Sequence, residues 1–170
     1  MNEFISTRLD QSNQAKEKFA KESSEQIITL AKDIVATFEN GGKVLLFGNG
    51  GSAADAQHVA AEFVNRFLLN RRPLPAIALS TDTSILTAIG NDFSYDMVFT
   101  KQIQALGKPE DLALGLTTSG TSPNVVLALA EAQKIGMTTV ALTGGTVIPE
   151  KGVHAHCDMV LNVHEPLFLE

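Results

Sequence analysis

The chain has little of several features that mark particular protein classes. It contains one cysteine, Cys157, no tryptophan and only 6% aromatic residues, and a single cysteine excludes an intramolecular disulfide. Its 13 basic residues are outnumbered by 19 acidic ones, whereas a nucleic-acid surface needs clustered lysine and arginine. No apolar run approaches the roughly 20 residues of a membrane span, and the first ten residues lack the apolar core of a signal peptide. We therefore expect a cytoplasmic protein without nucleic-acid or membrane partners.

The chain does contain enough apolar residues for one sizeable core. Its 170 residues are 44% hydrophobic and 19% charged, which is typical of one globular domain. We assign residues 1–42 to an N-terminal helical segment and residues 43–170 to that domain. Within the segment, Ser23 and Gln26 fit a capping box, which predicts a helix start there and an end near Gly41.

Apolar runs alternate with helical patterns along the rest of the chain. Near-continuous apolar strands separated by helices are typical of a parallel sheet covered on both faces. We therefore predict an α/β fold, a three-layer αβα sandwich with a five-stranded parallel, flavodoxin-like sheet and an N-terminal helical extension. The predicted strands are residues 43–47, 76–79, 112–116, 138–142 and 159–163, and the predicted helices after the first strand are residues 52–67, 83–89, 95–106 and 123–135.

Two loops follow predicted strands at the same edge of this sheet. The first, residues 49–52, is glycine-rich, and the second, residues 117–122, is rich in hydroxyls. Each leads into a helix whose unpaired N–H groups favour an anion, and Ser122 with Pro123 reads as the N-cap and first residue of the second helix. The dinucleotide fingerprint and the P-loop lysine are both missing. A phosphorylated small molecule is the ligand that we expect.

One helix turn carries a candidate acid/base pair. Glu62 follows His58 by four residues, which places an imidazole and a carboxylate on one helix face. We expect this face to lie just below the anion, so that phosphate binding and proton transfer share one pocket. The alternative is a surface hydrogen bond between the two side chains.

Several spaced motifs together resemble one known family. They extend in order from about Phe38 to Thr143 and include Gly48-Asn49-Gly50-Gly51-Ser52, the His58/Glu62 pair, Leu74-Pro75-Ala76-Ile77-Ala78-Leu79, Gly90-Asn91-Asp92 and Thr118-Ser119-Gly120-Thr121-Ser122. This combination is similar to the sugar isomerase (SIS) family, and within it to the bacterial phosphoheptose isomerases. The resemblance implies isomerisation of sedoheptulose 7-phosphate to D-glycero-D-manno-heptose 7-phosphate, the first step toward the ADP-heptose of lipopolysaccharide core. It also implies a cytoplasmic homotetramer with active sites at subunit interfaces.

The resemblance also implies roles for individual residues. Glu62 corresponds to the catalytic carboxylate, and an aldose-ketose isomerase needs such a base to move a proton between two carbons. His58 and Glu62 correspond to two ligands of a zinc ion, one per subunit, which would stabilise an enediolate as a Lewis acid. The implied substrate-binding residues are Asn49, Gly50, Gly51, Ser52, Glu62, Asn91, Asp92, Thr117, Thr118, Ser119 and Ser122.

After the last predicted strand, the sequence departs from the family pattern. The family continues into a helix with an Arg-Ile-Gln-Glu-like segment and then a histidine, which supply further zinc ligands and a second acid/base group. The 170 residues contain no such segment. We therefore expect this chain to bind sugar phosphate but to isomerise it poorly and to hold zinc weakly, with His164 the nearest replacement.

Other readings of the same residues remain open. A non-catalytic SIS scaffold resembling the DnaA initiator-associating protein is the main alternative, although that relative has no acid at the position of Glu62. A sugar-phosphate-sensing regulator would need an added helix-turn-helix domain. Among the remaining polar residues, we interpret Arg71-Arg72 as a solvated turn, Asn91-Asp92 as a possible helix cap, and His154, His156 and Cys157 as loop residues.

Overall fold

The computed structural model of the chain describes residues 2–145 and 151–163. The helices are α1 (Asn2–Glu39), α2 (Gly51–Val64), α3 (Thr83–Asp92), α4 (Thr100–Leu106) and α5 (Pro123–Ile135), and the strands are β1 (Val44–Gly48), β2 (Ala76–Ala78), β3 (Leu112–Thr117), β4 (Thr138–Gly144) and β5 (Met159–Val163). Two 3-10 turns, Tyr95–Met97 and Gly152–Ala155, complete the regular structure of this part of the chain.

The five strands form one parallel sheet in the order β2-β1-β3-β4-β5. The inner strand β1 is buried along its whole length, because helices cover both faces of the sheet. One face packs against residues of α4 and α5, including Ile103 and Leu129. The other packs against α1 and α2 through Phe38 and Ala60. The predicted three-layer α/β sandwich is therefore confirmed.

The N-terminal segment differs from the prediction. α1 is one continuous helix of 38 residues, so the predicted helix start at Ser23 is wrong. The preceding residues are rich in alanine, glutamate, lysine and glutamine, which favour helix, so the hydroxyl of Ser23 is not needed as a cap. The end of α1 joins the core of the sheet, where the Phe38 ring meets Phe63 of α2 edge to face at 5.5 Å between centroids.

Two other predicted helices end or break early. α2 ends at Val64 rather than at residue 67, and the predicted helix 95–106 divides into a 3-10 turn and α4. Within the described residues, no helix has the length and apolar character needed to cross a membrane.

Candidate active site

The two loops meet where β1 and β3 end. Gly48 of β1 pairs with Leu116 of β3, so the chain leaves the two strands side by side. α2 then starts after Gly50, whose φ of 55° lies in the left-handed region that glycine tolerates. α5 starts after Ser122, and neither helix start has a side-chain cap hydrogen bond. Two positive helix ends therefore lie at one edge, as an anion site requires.

A cleft of about 220 Å³ opens beside these helix starts. It is lined by Ser52, Asp55, Leu116, Thr117, Thr118, Leu142, Thr143, Gly144 and Val163. A Cβ added at Gly50 or Gly51 would meet no atom within 4 Å, so the backbone of the turn is open to a ligand. The structure thus brings Ser52, Thr117 and Thr118 of the predicted residues into one cleft. Asp55 also lines it and was missed, because nothing in the motif marks an exposed helical carboxylate as a site residue.

Residues 117–122 form the second loop, here called the hydroxyl loop, and hydrogen bonds within it orient its side chains. The hydroxyls of Thr117 and Ser122 lie 3.1 Å apart, so Ser122 bonds to Thr117 rather than capping α5 with its side chain. The Ser119 hydroxyl accepts from the backbone N–H and the hydroxyl of Thr121, both at 3.2 Å. Ser119 and Ser122 belong to the loop but do not line the cleft.

A pair of amides joins the first loop to the start of α5, directly after the second loop. The Asn49 side chain donates to Asn124 Oδ1 and accepts from Asn124 Nδ2, both at 2.9 Å. Asn124 is only 3% exposed and was missed by the sequence analysis. The sequence does contain a feature that marks Asn124: it lies on the same buried stripe of α5 as Val125, Ala128 and Leu129. An unpaired amide on such a stripe would destabilise the fold.

The predicted acid/base pair lies farther along α2. His58 Nε2 and Glu62 Oε1 are 3.4 Å apart, with side chains 75% and 37% exposed. Together they line a separate cavity of about 300 Å³ with Val59, Phe63, Phe67 and Arg71. The two cavities share no lining residue, so within one chain the expected single pocket is wrong. The ten-residue step from Ser52 to Glu62 spans about 15 Å along a helix, which the motif spacing alone did not convey.

Arg71 fixes the end of α2 that carries Glu62. Its Nη2 donates to the backbone carbonyl of Glu62 and its Nη1 to that of Phe63, both at 2.8 Å. A guanidinium at a helix C-terminus satisfies carbonyls that have no partner within the helix and interacts well with the dipole. The prediction that Arg71 belongs to a solvated turn is therefore wrong, whereas the side chain of Arg72 is exposed.

The remaining predicted residues lie outside both cavities. Asn91 and Asp92 occupy the exposed last turn of α3, where Asn91 Nδ2 donates to Asp92 Oδ1 at 2.8 Å. The interpretation of this pair as a helix cap is therefore wrong, since Phe93 ends α3 and Ser94 precedes the next turn. Burial, and to a smaller extent the charge of Asp158, raises the pKa of Cys157 to about 12. His164 lies outside the described residues.

Comparison with known proteins places this fold and site in a family. The sequence profile described as "SIS domain" matches residues 9–144. The chain belongs to the SIS domain family. This SIS chain is 51% identical over 153 residues to the phosphoheptose isomerase of Nitratidesulfovibrio vulgaris strain Miyazaki F, covering 88% of the chain and 71% of that relative. It is 52% identical over 144 residues to the phosphoheptose isomerase of Aquifex aeolicus, covering 85% and 75% respectively.

Solved structures of phosphoheptose isomerases have the same fold as this SIS chain. The phosphoheptose isomerase structure from Francisella tularensis matches with a TM-score of 0.89 at 40% identity, over 96% of this chain and 85% of that one. The structure from Neisseria gonorrhoeae matches with a TM-score of 0.85 at 41% identity, over 97% and 86%. These relatives confirm the predicted resemblance, and the roles of the individual site residues stay predictions.

Proposed function

We propose that this chain is an isomerase that converts sedoheptulose 7-phosphate to D-glycero-D-manno-heptose 7-phosphate. The observation that carries the proposal is the 51% identity, over 88% of the chain, to a relative named phosphoheptose isomerase. The presence of Glu62 favours an enzyme over a non-catalytic scaffold, since proton transfer between carbons needs a base.

The cleft at the ends of β1 and β3 is the proposed phosphate site. The residues that line it include Ser52, Thr117 and Thr118, but no lysine or arginine among those that the structure describes. Backbone N–H groups at the starts of α2 and α5, together with hydroxyls, would therefore supply the hydrogen bonds. Asp55 also lines the cleft, and its carboxylate suits the hydroxyls of a sugar better than a phosphate.

Glu62 is the proposed base for the carbon chemistry. Its carboxylate takes a proton from C1 of the ketose as the C2 carbonyl becomes an enediol oxygen. The same proton, or one from solvent, then forms the new C–H bond at C2. The hydroxyl proton at O1 leaves as the C1 aldehyde forms, and O2 gains a proton, so that atoms and charges balance.

The proposed substrate carries its phosphate far from its reacting carbons. In sedoheptulose 7-phosphate, C7 carries the phosphate, whereas the proton moves between C1 and C2. Ser52 and Glu62 likewise line different cavities, so the proposed phosphate site and the proposed base are separate as well.

Turnover of Glu62→Gln tests the base. We expect kcat to fall by about 10² to 10⁴ with a smaller effect on KM, since glutamine keeps the shape but cannot accept the proton. Glu131→Gln is the matched control, because Glu131 is a helical carboxylate of α5 that contacts Lys134 and Gln104 outside both cavities. A Glu62→Gln variant that turns over heptose phosphate like the control would exclude this role.

The proposed zinc site is limited by the number of ligating side chains that lie together. Among the described residues, no group of three or more histidine, cysteine, aspartate or glutamate side chains could hold a metal ion, whereas zinc sites normally use about three or four protein ligands. His58 and Glu62 alone therefore do not form a complete zinc site. We propose that they contribute two ligands and that others come from elsewhere. Calorimetric titration with zinc should show a lower affinity for His58→Ala than for the wild type. Equal affinities would contradict this proposal.

We propose a homotetramer as the assembled form. Large apolar side chains are exposed on the first turns of α1, where Phe4 is 65% and Leu9 59% exposed, and after α2, where Leu68 is 81% exposed. Large apolar side chains exposed in such groups favour a protein interface. Light scattering should give the mass of four chains, and a stable monomer at micromolar concentration would contradict the proposal.

The proposed product is a precursor of ADP-heptose and hence of lipopolysaccharide core, made in the cytoplasm. Both statements rest on the resemblance to phosphoheptose isomerases. Complementation of a heptose-deficient bacterium by this gene, read out as restored core length, tests the pathway, and unchanged core would contradict it.

A further inference from the structure

The buried amide of Asn124 has no part in the chemistry described above. Asn124 is the second residue of α5 and is 3% exposed, among neighbours such as Val125 and Ala128 that are fully buried. An amide at such a position destabilises the fold unless its donor and acceptor both find partners. The hydrogen-bond partner of the Asn124 amide therefore indicates the role of this residue.

Asn49 supplies both partners. Each amide donates to the other at 2.9 Å, and two opposed hydrogen bonds fix the orientation of both amide planes. Tyr95 adds a weaker third contact, since its hydroxyl lies 3.4 Å from Asn49 Oδ1. The oxygen of Asn49 and one of its two N–H donors are thus already used within the protein.

No backbone hydrogen bond between the described residues joins the two loops directly. In the hydroxyl loop, the Thr118 carbonyl accepts from Gly144 N at 3.1 Å and the Gly120 carbonyl from Val153 N at 2.9 Å. In the first loop, residues 49–52, here called the glycine turn, the carbonyls of Asn49 and Gly50 accept from Ala53 N of α2. Beyond the Gly48–Leu116 pairing of the sheet, the Asn49–Asn124 pair is therefore a polar link between the glycine turn and the start of α5, the helix that directly follows the hydroxyl loop.

We propose that Asn124 is a positioning residue for the sugar phosphate. It acts through Asn49 and holds the glycine turn and the hydroxyl loop at the separation that one phosphate requires. This inference rests on the proposed function and specifies how its phosphate site is built. It also assigns the Asn49 side chain to the link, which leaves the backbone of the turn to contact the ligand.

The test compares Asn124→Asp with a matched control elsewhere in the sheet. Aspartate keeps the size of asparagine, but it presents an acceptor to Asn49 Oδ1 in place of a donor. We expect the affinities for inorganic phosphate and for sedoheptulose 7-phosphate, measured by calorimetry, to fall at least about tenfold. Thr139→Val is the control, because Thr139 is buried and its hydroxyl bonds Asp158 at 2.9 Å at the opposite end of β4. It should lower the melting temperature and leave both affinities unchanged.

A double-mutant cycle separates positioning from a general loss of stability. Asn49→Ala and Asn124→Ala each remove the link, so we expect the double variant to lose no more phosphate affinity than the weaker-binding single variant. In the turnover assay KM should rise more than kcat falls, because the carboxylate of Glu62 lies in the other cavity. Additive losses, or Asn124 variants that bind phosphate like Thr139→Val, would overturn the inference.

The wild-type protein provides a measurement that needs no variant. The side-chain NH2 protons of Asn124 should exchange slowly with solvent in NMR spectra, and rapid exchange would show that the link does not persist. Phosphate binding without heptose turnover would refute the proposed function and leave this inference standing. A wild type that binds no phosphate would overturn both.

Discussion

Replacing Arg71 with alanine tests how the end of α2 that carries Glu62, the proposed base, is held. The guanidinium donates two hydrogen bonds of 2.8 Å to the carbonyls of Glu62 and Phe63. Hydrogen bonds from charged groups each contribute about 1.5–3 kcal/mol. The Phe63 carbonyl keeps a second bond from Leu74 N at 3.0 Å, and solvent replaces part of the loss at this half-buried side chain. We therefore expect a total cost of about 2 kcal/mol.

This cost should appear in both stability and catalysis. For a chain of this size, about 2 kcal/mol corresponds to a fall in melting temperature of about 4–8 °C. The last turn of α2 carries Glu62, the proposed base, and a small displacement of a catalytic group can cost up to about 100-fold in rate. The fall should be in kcat, because the proposed phosphate cleft lies at the other end of α2.

Two variants make the Arg71 experiment decisive. Arg72→Ala removes the neighbouring exposed arginine, which leaves the carbonyls of Glu62 and Phe63 bonded, so it should change neither quantity. Arg71→Lys keeps the charge but reaches fewer carbonyls than the planar guanidinium, and it should be intermediate. Calorimetric melting and a heptose phosphate assay measure both effects. An Arg71→Ala protein that melts and turns over like Arg72→Ala would refute the reasoning.

Three further predictions concern the proposed phosphate cleft and the half-buried thiol of Cys157. Thr118→Ala should weaken sugar-phosphate binding by about 1–3 kcal/mol through a lost charge-assisted hydrogen bond, more than Ser119→Ala, which does not line the cleft; calorimetry showing the reverse order would reject the cleft. Gly152→Ala should lower the melting temperature and phosphate affinity together, because φ is 57° there and a Cβ would overlap the Gly120 carbonyl; binding equal to wild type would show that this turn does not support the loop. Because burial raises the pKa of Cys157 from 9.0 to about 12, the unfolded chain loses this proton first. Stability should therefore fall between pH 9 and about 12, and a Cys157→Ala protein with the same pH dependence in denaturant titrations would contradict this.

Strand positions could be predicted from the sequence because burial on both faces leaves an apolar run. Residues 159–163 were predicted as the fifth strand and form β5. The pattern also located α5, where Pro123 begins the helix and Gly136 ends it with a φ of 92°. Apolar runs and helix-capping residues are local features, so a single sequence is enough to identify them.

The contacts of the site could not be predicted in the same way. Arg71 and the α2 carbonyls meet only because the chain folds back after α2, and Asn49 lies 75 positions from Asn124. Helical spacing placed His58 and Glu62 on one face correctly, with 3.4 Å between them. It could not reveal that the cleft and this pair line different cavities, because that depends on how the two loops pack.

The measurement that tests the central claim most directly is incubation of the wild-type chain with sedoheptulose 7-phosphate in D2O, followed by NMR. Isomerisation through an enediol predicts the appearance of D-glycero-D-manno-heptose 7-phosphate, with solvent deuterium at C2 in part of the product. Glu62→Gln should slow this signal by about 10² to 10⁴. A ketose that remains unchanged, or an aldose that Glu62→Gln forms as fast as the wild type, would contradict the account.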